Sequence, residues 1–79
     1  MPKVISYYPN LTGELARAKV TRAELSAILG ISRSGLSLKM TGKSEFSLDQ
    51  MERTRDFLSQ INKESYELGY LFERDRRLV

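Results

Sequence analysis

The sequence predicts a compact all-α domain of four to five helices, and three observations predict it. Apolar residues recur at three- and four-residue intervals in separate stretches, the repeat of a helix that buries one face. Thr21-Arg-Ala-Glu24 and Ser47-Leu-Asp-Gln50 share a helix-start pattern. In it, a hydroxyl and a side chain three residues on satisfy each other's backbone N–H groups. Finally, the second and third helical stretches are separated only by a tight link at Gly30, Ile31 and Ser32.

Residues 1–9 read as an arm that either packs on the core or wanders, because Val4, Ile5, Tyr7 and Tyr8 are adhesive while Pro2 and Pro9 discourage a regular helix. Leu11, Leu15 and Ala18, at i, i+4 and i+7, define the first helix, with Asn10 as its expected N-cap. Thr21 opens a second helix over about 22–29 that buries Leu25, Ile28 and Leu29 and carries the small Ser26 where a neighbour must approach closely. It stops at Gly30, which takes the left-handed conformation of a helix end without a Cβ clash. Ile31 plugs the core beneath the turn, and Ser32 caps a third helix running to Met40 or Thr41, with Leu36 and Met40 inward. So short a link forces a sharp crossing, which makes the pair a helix-turn-helix.

After a polar loop from Thr41 to Ser47, a fourth helix extends to about Ile61. Leu48, Met51, Leu58 and Ile61 are expected inward, Phe57 flanking, and Phe46 stapled to Met51 across the helix start. Tyr66, Leu68, Tyr70, Leu71 and Phe72 make 65–72 apolar enough to dock, although Gly69 weakens a long helix there. The domain is thus expected over 10–72, and 73–79, a charged tail, is expected to fray.

A chain of 79 residues, 41% hydrophobic and 29% charged, fits one small globular domain. There is no apolar run of roughly 20 residues and no signal-peptide core, so a cytoplasmic protein with no membrane association is expected. With no Cys and no His, disulfides, thiolate chemistry, imidazole catalysis and the usual zinc sites drop out, and no metal or other cofactor is expected. Carboxylate pairs, Ser–Lys pairs or Tyr would each need a pocket that so small a helical chain hardly encloses. Neither enzymatic activity nor a small-molecule ligand is therefore expected. The net charge of +3 is unevenly placed. Residues 1–45 hold seven basic side chains and three acidic ones, whereas 46–79 hold six and seven. A basic excess confined to one half suits a phosphate-facing surface.

If Leu36 and Met40 face inward, Ser34, Ser37, Leu38 and Thr41 form the opposite stripe of the third helix. Short side chains let a helix backbone come close to base edges in a major groove about 12 Å wide. Ser34 and Ser37 could donate or accept there, and Leu38 could pack on a thymine methyl, or be no more than an ordinary surface leucine. Arg33 is the candidate for a bidentate guanine contact, with a phosphate clamp or a solvated charge as its alternatives. Ser32 combines a cap with a hydroxyl and free N–H groups that could meet a phosphate. Arg22, Lys39, Thr41 and Lys43 would bracket the sugar-phosphate backbone without reading sequence, ordinary loop polarity being the plainer role of Lys43. Arg17 and Lys19 are weaker candidates for the same role.

The segment Thr21 to Lys43, TRAELSAILGISRSGLSLKMTGK, resembles the helix-turn-helix of the phage repressor and Cro family, the lambda-repressor-like regulators. The polar cap, Ser26, Gly30, Ile31 and Leu36 fall in register, and LSLKMTGK followed by Phe46 and Ser47 is especially similar to small phage-encoded members. One position departs: Lys39 stands where the family usually has a second buried aliphatic, so the core contact is expected to shift to Met40. The resemblance implies a transcriptional regulator, a repressor or Cro-like protein, that occupies an operator in double-stranded DNA. It also implies a homodimer on paired half-sites. Residues 66–72 are the expected interface, with packing over the protein's own core as the alternative. Two other functions fit the same fold: a protein-interaction module, antitoxin-like or a phage-encoded inhibitor, and a DNA-architectural or recombination accessory factor.

Overall fold

The computed structural model describes residues 7–74, which form five helices in the order α1 Pro9–Ala18, α2 Arg22–Leu29, α3 Arg33–Met40, α4 Leu48–Asn62 and α5 Leu68–Leu71. The described residues contain no strand, so the fold is all-α. None of these helices is long and apolar enough to cross a membrane.

The helix starts follow the capping chemistry. Thr21 and Glu24 close the reciprocal box at α2, Ser47 and Gln50 close another at α4, and Ser32 Oγ accepts the Gly35 N–H at α3. The start of α1 differs from expectation. Its N-cap is Tyr8, without a side-chain bond, and Pro9 stands in the first turn, where a missing N–H is harmless. Asn10 is therefore inside the helix, and its amide donates instead to Tyr70 O and Glu73 Oε2.

Three helices end in the left-handed region, at Lys19, Gly30 and Lys63 (φ 58°, 69° and 53°). In each the next N–H reaches back over the last turn: Val20 to Leu15 O, Ile31 to Ser26 O and Glu64 to Ser59 O.

The core is a continuous cluster of Tyr8, Leu11, Leu15, Leu25, Leu29, Leu36, Met40, Phe46, Leu58 and Leu71. Helix α4 packs against α1, α2 and α5, and α1 against α5, whereas α3 closely approaches only α2 among the described helices. That arrangement hangs α3 on the side of the molecule. Ser26 is buried at the α2 turn with its Oγ donating to Ala23 O, so a small residue there pairs its hydroxyl within its own helix.

Two inward expectations fail on α4. Leu48 is 60% exposed and Ile61 is 42% exposed. The buried stripe runs instead through Met51, Thr54 and Leu58, and it continues at Asn62 into a polar cluster. Thr54 is fully buried with its hydroxyl donating to Gln50 O, which satisfies it without tertiary help. Phe46 is buried and Met51 packs against the same cluster, as a staple across the helix start requires.

The ends of the described segment are held against the rest of the fold. Tyr8 belongs to the core, and Glu73 and Arg74 are held by Asn10 and Tyr7. Residues 1–6 of the expected arm and 75–79 of the expected tail lie outside the described residues. In α5, Leu71 is buried and Tyr66 and Phe72 pack on the core, so the apolar 66–72 segment docks against its own molecule.

Candidate nucleic-acid interface

The helix-turn-helix supplies one exposed face. On α3, Leu36 is fully buried and Met40 nearly so, while Arg33, Ser34, Ser37 and Leu38 are exposed along with the flanking Ser32 and Thr41. The stripe expected opposite the core is therefore solvent-facing, and Leu38, at 47% exposure, is the large apolar side chain on it. The core contact falls on Met40 rather than on position 39.

Lys39 is half-buried and occupied by the protein itself. Its ammonium donates to Glu45 O at 2.8 Å and lies 6.0 Å from the centre of the Phe46 ring. A lysine expected to meet phosphate thus latches the α3–α4 loop onto α3. Thr41 Oγ1 likewise donates inward, to Ser37 O and Leu38 O, closing the end of α3. Lys43 and Ser44 both donate their N–H groups to Leu38 O, which fixes the loop beside the last turn.

The cations divide sharply by partner. Among the described residues, Arg17 pairs with Glu14 and Glu64, Arg53 with Asp49 and Arg55 with Asp56. Among the described residues, Arg22, at the start of α2, Arg33, at the start of α3, and Lys43, in the following loop, have no carboxylate within salt-bridge distance, and the same holds for Lys19, Lys39, Lys63 and Arg74 elsewhere. The acidic residue nearest them in sequence on α2, Glu24, is spent on the Thr21 cap through both the backbone N–H and the hydroxyl. Helix α3 has no acidic residue in its first turn, so the partial positive charge of its N-terminus stands unopposed beside Ser32 and Arg33. Arg17, by contrast, is committed to carboxylates on another part of the molecule, and Lys19 serves as the left-handed end of α1.

Away from this face lies a polar cluster that sequence patterning did not indicate. The Glu14 carboxylate accepts from Tyr66 Oη at 2.7 Å, from Tyr70 Oη at 3.0 Å and from Arg17. Asn62 donates to Tyr66 Oη at 3.0 Å. The Tyr66 hydroxyl, ahead of Tyr70 and Arg17, holds the Glu14 carboxyl below its ordinary range, while partial burial and the same carboxylate push Tyr66 up to about 12. These bonds run between Glu14 of α1, Asn62 of α4, Tyr66 just before α5 and Tyr70 of α5, so the cluster acts as a clasp joining α1, α4 and α5.

The loop after α3 rests on residues from both ends of the described chain. A Cβ placed on Gly42 (φ +82°) would lie 2.4 Å from two ring carbons of Tyr7, so that ring sits directly against the glycine. Arg74 Nη1 donates to Tyr7 Oη at 3.1 Å, with its guanidinium 6.0 Å from the ring centre. Sequence reading placed Tyr7 in an arm and Arg74 in a tail. Contacts separated by more than thirty residues leave no local signal by which to pair them. Comparison of the chain with protein-family models, with curated proteins and with solved structures returns no match.

Proposed function

We propose that this chain is a sequence-specific double-stranded-DNA-binding regulator that lays α3 in the major groove and acts by occupying an operator. The observation that carries the reading is the exposed Ser34, Ser37 and Leu38 stripe opposite buried Leu36 and Met40, with Arg22, Arg33 and Lys43 unpaired by any carboxylate of the described residues. Arg33 takes the base-reading role, because a guanidinium at the front of the helix can bond guanine O6 and N7 together. Ser34 and Ser37 read base edges and Leu38 takes a thymine methyl. Arg22, Ser32 and Lys43 position the duplex through phosphates, Ser32 with the help of the helix N-terminus. Lys39 and Thr41 support that surface from within α3 and its loop.

One such face spans only a few base pairs, so the chain binds as a homodimer on half-sites about one helical turn apart or a multiple of it. Size-exclusion with light scattering on the DNA complex is expected to give two chains per duplex site; a single chain on every duplex would remove the dimer.

Binding sites selected from random duplex DNA test the regulator reading. A defined motif is expected, and Arg33→Ala should relax preference at one base position at a cost of about 1–3 kcal/mol. Lys43→Ala should instead weaken all sequences alike and flatten the salt dependence by about one phosphate. Selection that yields no motif, with no duplex binding at low salt, would overturn the proposal in favour of a protein-binding role.

A further inference from the structure

The arginines of the described residues fall into two groups. Arg17, Arg53 and Arg55 each meet a carboxylate, whereas Arg22, Arg33 and Arg74 meet none belonging to a described residue. Two of the latter belong to the helix-turn-helix. The third comes from the far end of the chain, yet it is held at the same loop that carries Lys43.

We propose that Arg74 and the Tyr7 hydroxyl form a further phosphate-binding site at the loop that carries Lys43. The site rests on the DNA-binding reading and extends its contact surface past the helix-turn-helix.

Its geometry is fixed by packing. Tyr7 stands edge-on to Tyr8 at 4.8 Å, Tyr8 is buried among Phe46 and Phe72, and the outer face of Tyr7 is covered by Gly42. Only a residue without a side chain allows loop and ring to meet at this distance, and the positive φ at Gly42 asks for glycine as well. The ring thereby places Arg74 at the hollow that Gly42, Ser44 and Glu45, the chain neighbours of Lys43, also line. Tyr7 Oη accepts from Arg74 and keeps its own proton to donate, and the guanidinium keeps its remaining N–H groups. An arginine already ordered by a hydrogen bond and a ring gives up less side-chain freedom on meeting an anion than a free lysine does. Glu45 borders the same hollow, of about 280 Å³, and is the opposing charge; its carboxylate weakens the site and its removal should strengthen it.

The test is the salt dependence of affinity of the full chain for its selected duplex. Arg74→Ala should lower the slope of log affinity against log salt by about 0.9, the value for one released counterion. Arg74→Lys should restore that slope while binding more weakly than the unaltered chain. Tyr7→Phe, which keeps the ring on Gly42, should lower affinity less than Arg74→Ala, and Glu45→Gln should raise it. Thermal melts identify any variant that fails to fold, and Arg74→Lys then carries the comparison. A wild-type slope and affinity in Arg74→Ala would overturn this site while leaving the α3 reading intact. Absence of duplex binding by the unaltered chain would overturn both.

Discussion

Leu36 and Leu38 stand two residues apart on one helix and face opposite environments, fully buried and 47% exposed respectively. Truncation separates what each does. Leu36→Ala should cost about 2–5 kcal/mol of folding stability, the usual range for emptying a packed leucine site. Leu38→Ala should change stability by no more than about 0.5 kcal/mol and lower affinity for the selected duplex. Chemical denaturation of both variants, with duplex titration of the second, checks the pair; similar stability losses would place Leu38 in the core. The helix ends offer a second residue-scale test. Lys63 holds a left-handed conformation that an L side chain resists, so Lys63→Gly should raise stability by about 0.5–1 kcal/mol. Gly30 has open space around it, so Gly30→Ala should lose a similar amount through backbone strain alone, read in the same denaturation experiment.

At the scale of elements, α3 closely approaches only α2 among the described helices, so its cap and its loop supplement the anchoring of Leu36 and Met40 in the core. Ser32→Ala leaves the Gly35 N–H without its acceptor and should cost about 1 kcal/mol. Amide exchange should quicken first in α3, and uniform quickening would show that α3 is no separate weak point. The α1–α4–α5 clasp contributes to the dependence of stability on pH, together with the buried Tyr8, whose hydroxyl is also pushed up by burial. Glu14 has its carboxyl lowered from an ordinary 4.5, so its contribution is complete above that value and is lost as pH falls below it. Tyr66 is raised from 10.0 to about 12, so its contribution is complete below 10 and is lost as pH climbs toward 12. The melting temperature should therefore be level between about pH 5 and 9 and fall on both sides. Glu14→Gln should flatten the acid limb and Tyr66→Phe the alkaline limb; unchanged limbs would exclude the clasp as their source.

Across the whole molecule, what sequence revealed was whatever is written locally. The two capping boxes, Gly30, Ser32 and the inward pair Leu36 and Met40 all act within one or two turns, and each lies where its pattern predicts. Long-range choices were hidden. On α4 the hydrophobic pattern favoured Leu48 and Ile61, but Leu48 in the first turn is left exposed, and at the other end Asn62, four residues past Leu58, joins the polar cluster with Glu14 and Tyr66. Thr54 reads as polar in any periodicity, although a bond to its own helix makes it fit for the core. At the candidate interface the outer stripe of α3 was legible from helical geometry. The capture of Lys39 by Glu45 O was not, nor was the meeting of Tyr7, Gly42 and Arg74, because each depends on a loop path that no short spacing encodes. The division of cations into paired and unpaired sets is likewise a property of the folded surface. Backbone amide shifts of the labelled chain, followed by NMR during titration with its selected duplex, test this surface most directly. The largest changes should fall at Arg22, Ser32 to Leu38 and Lys43, with the Glu14, Asn62, Tyr66 and Tyr70 clasp unmoved. Changes centred on the clasp, with α3 silent, would contradict the placement of α3 in the groove.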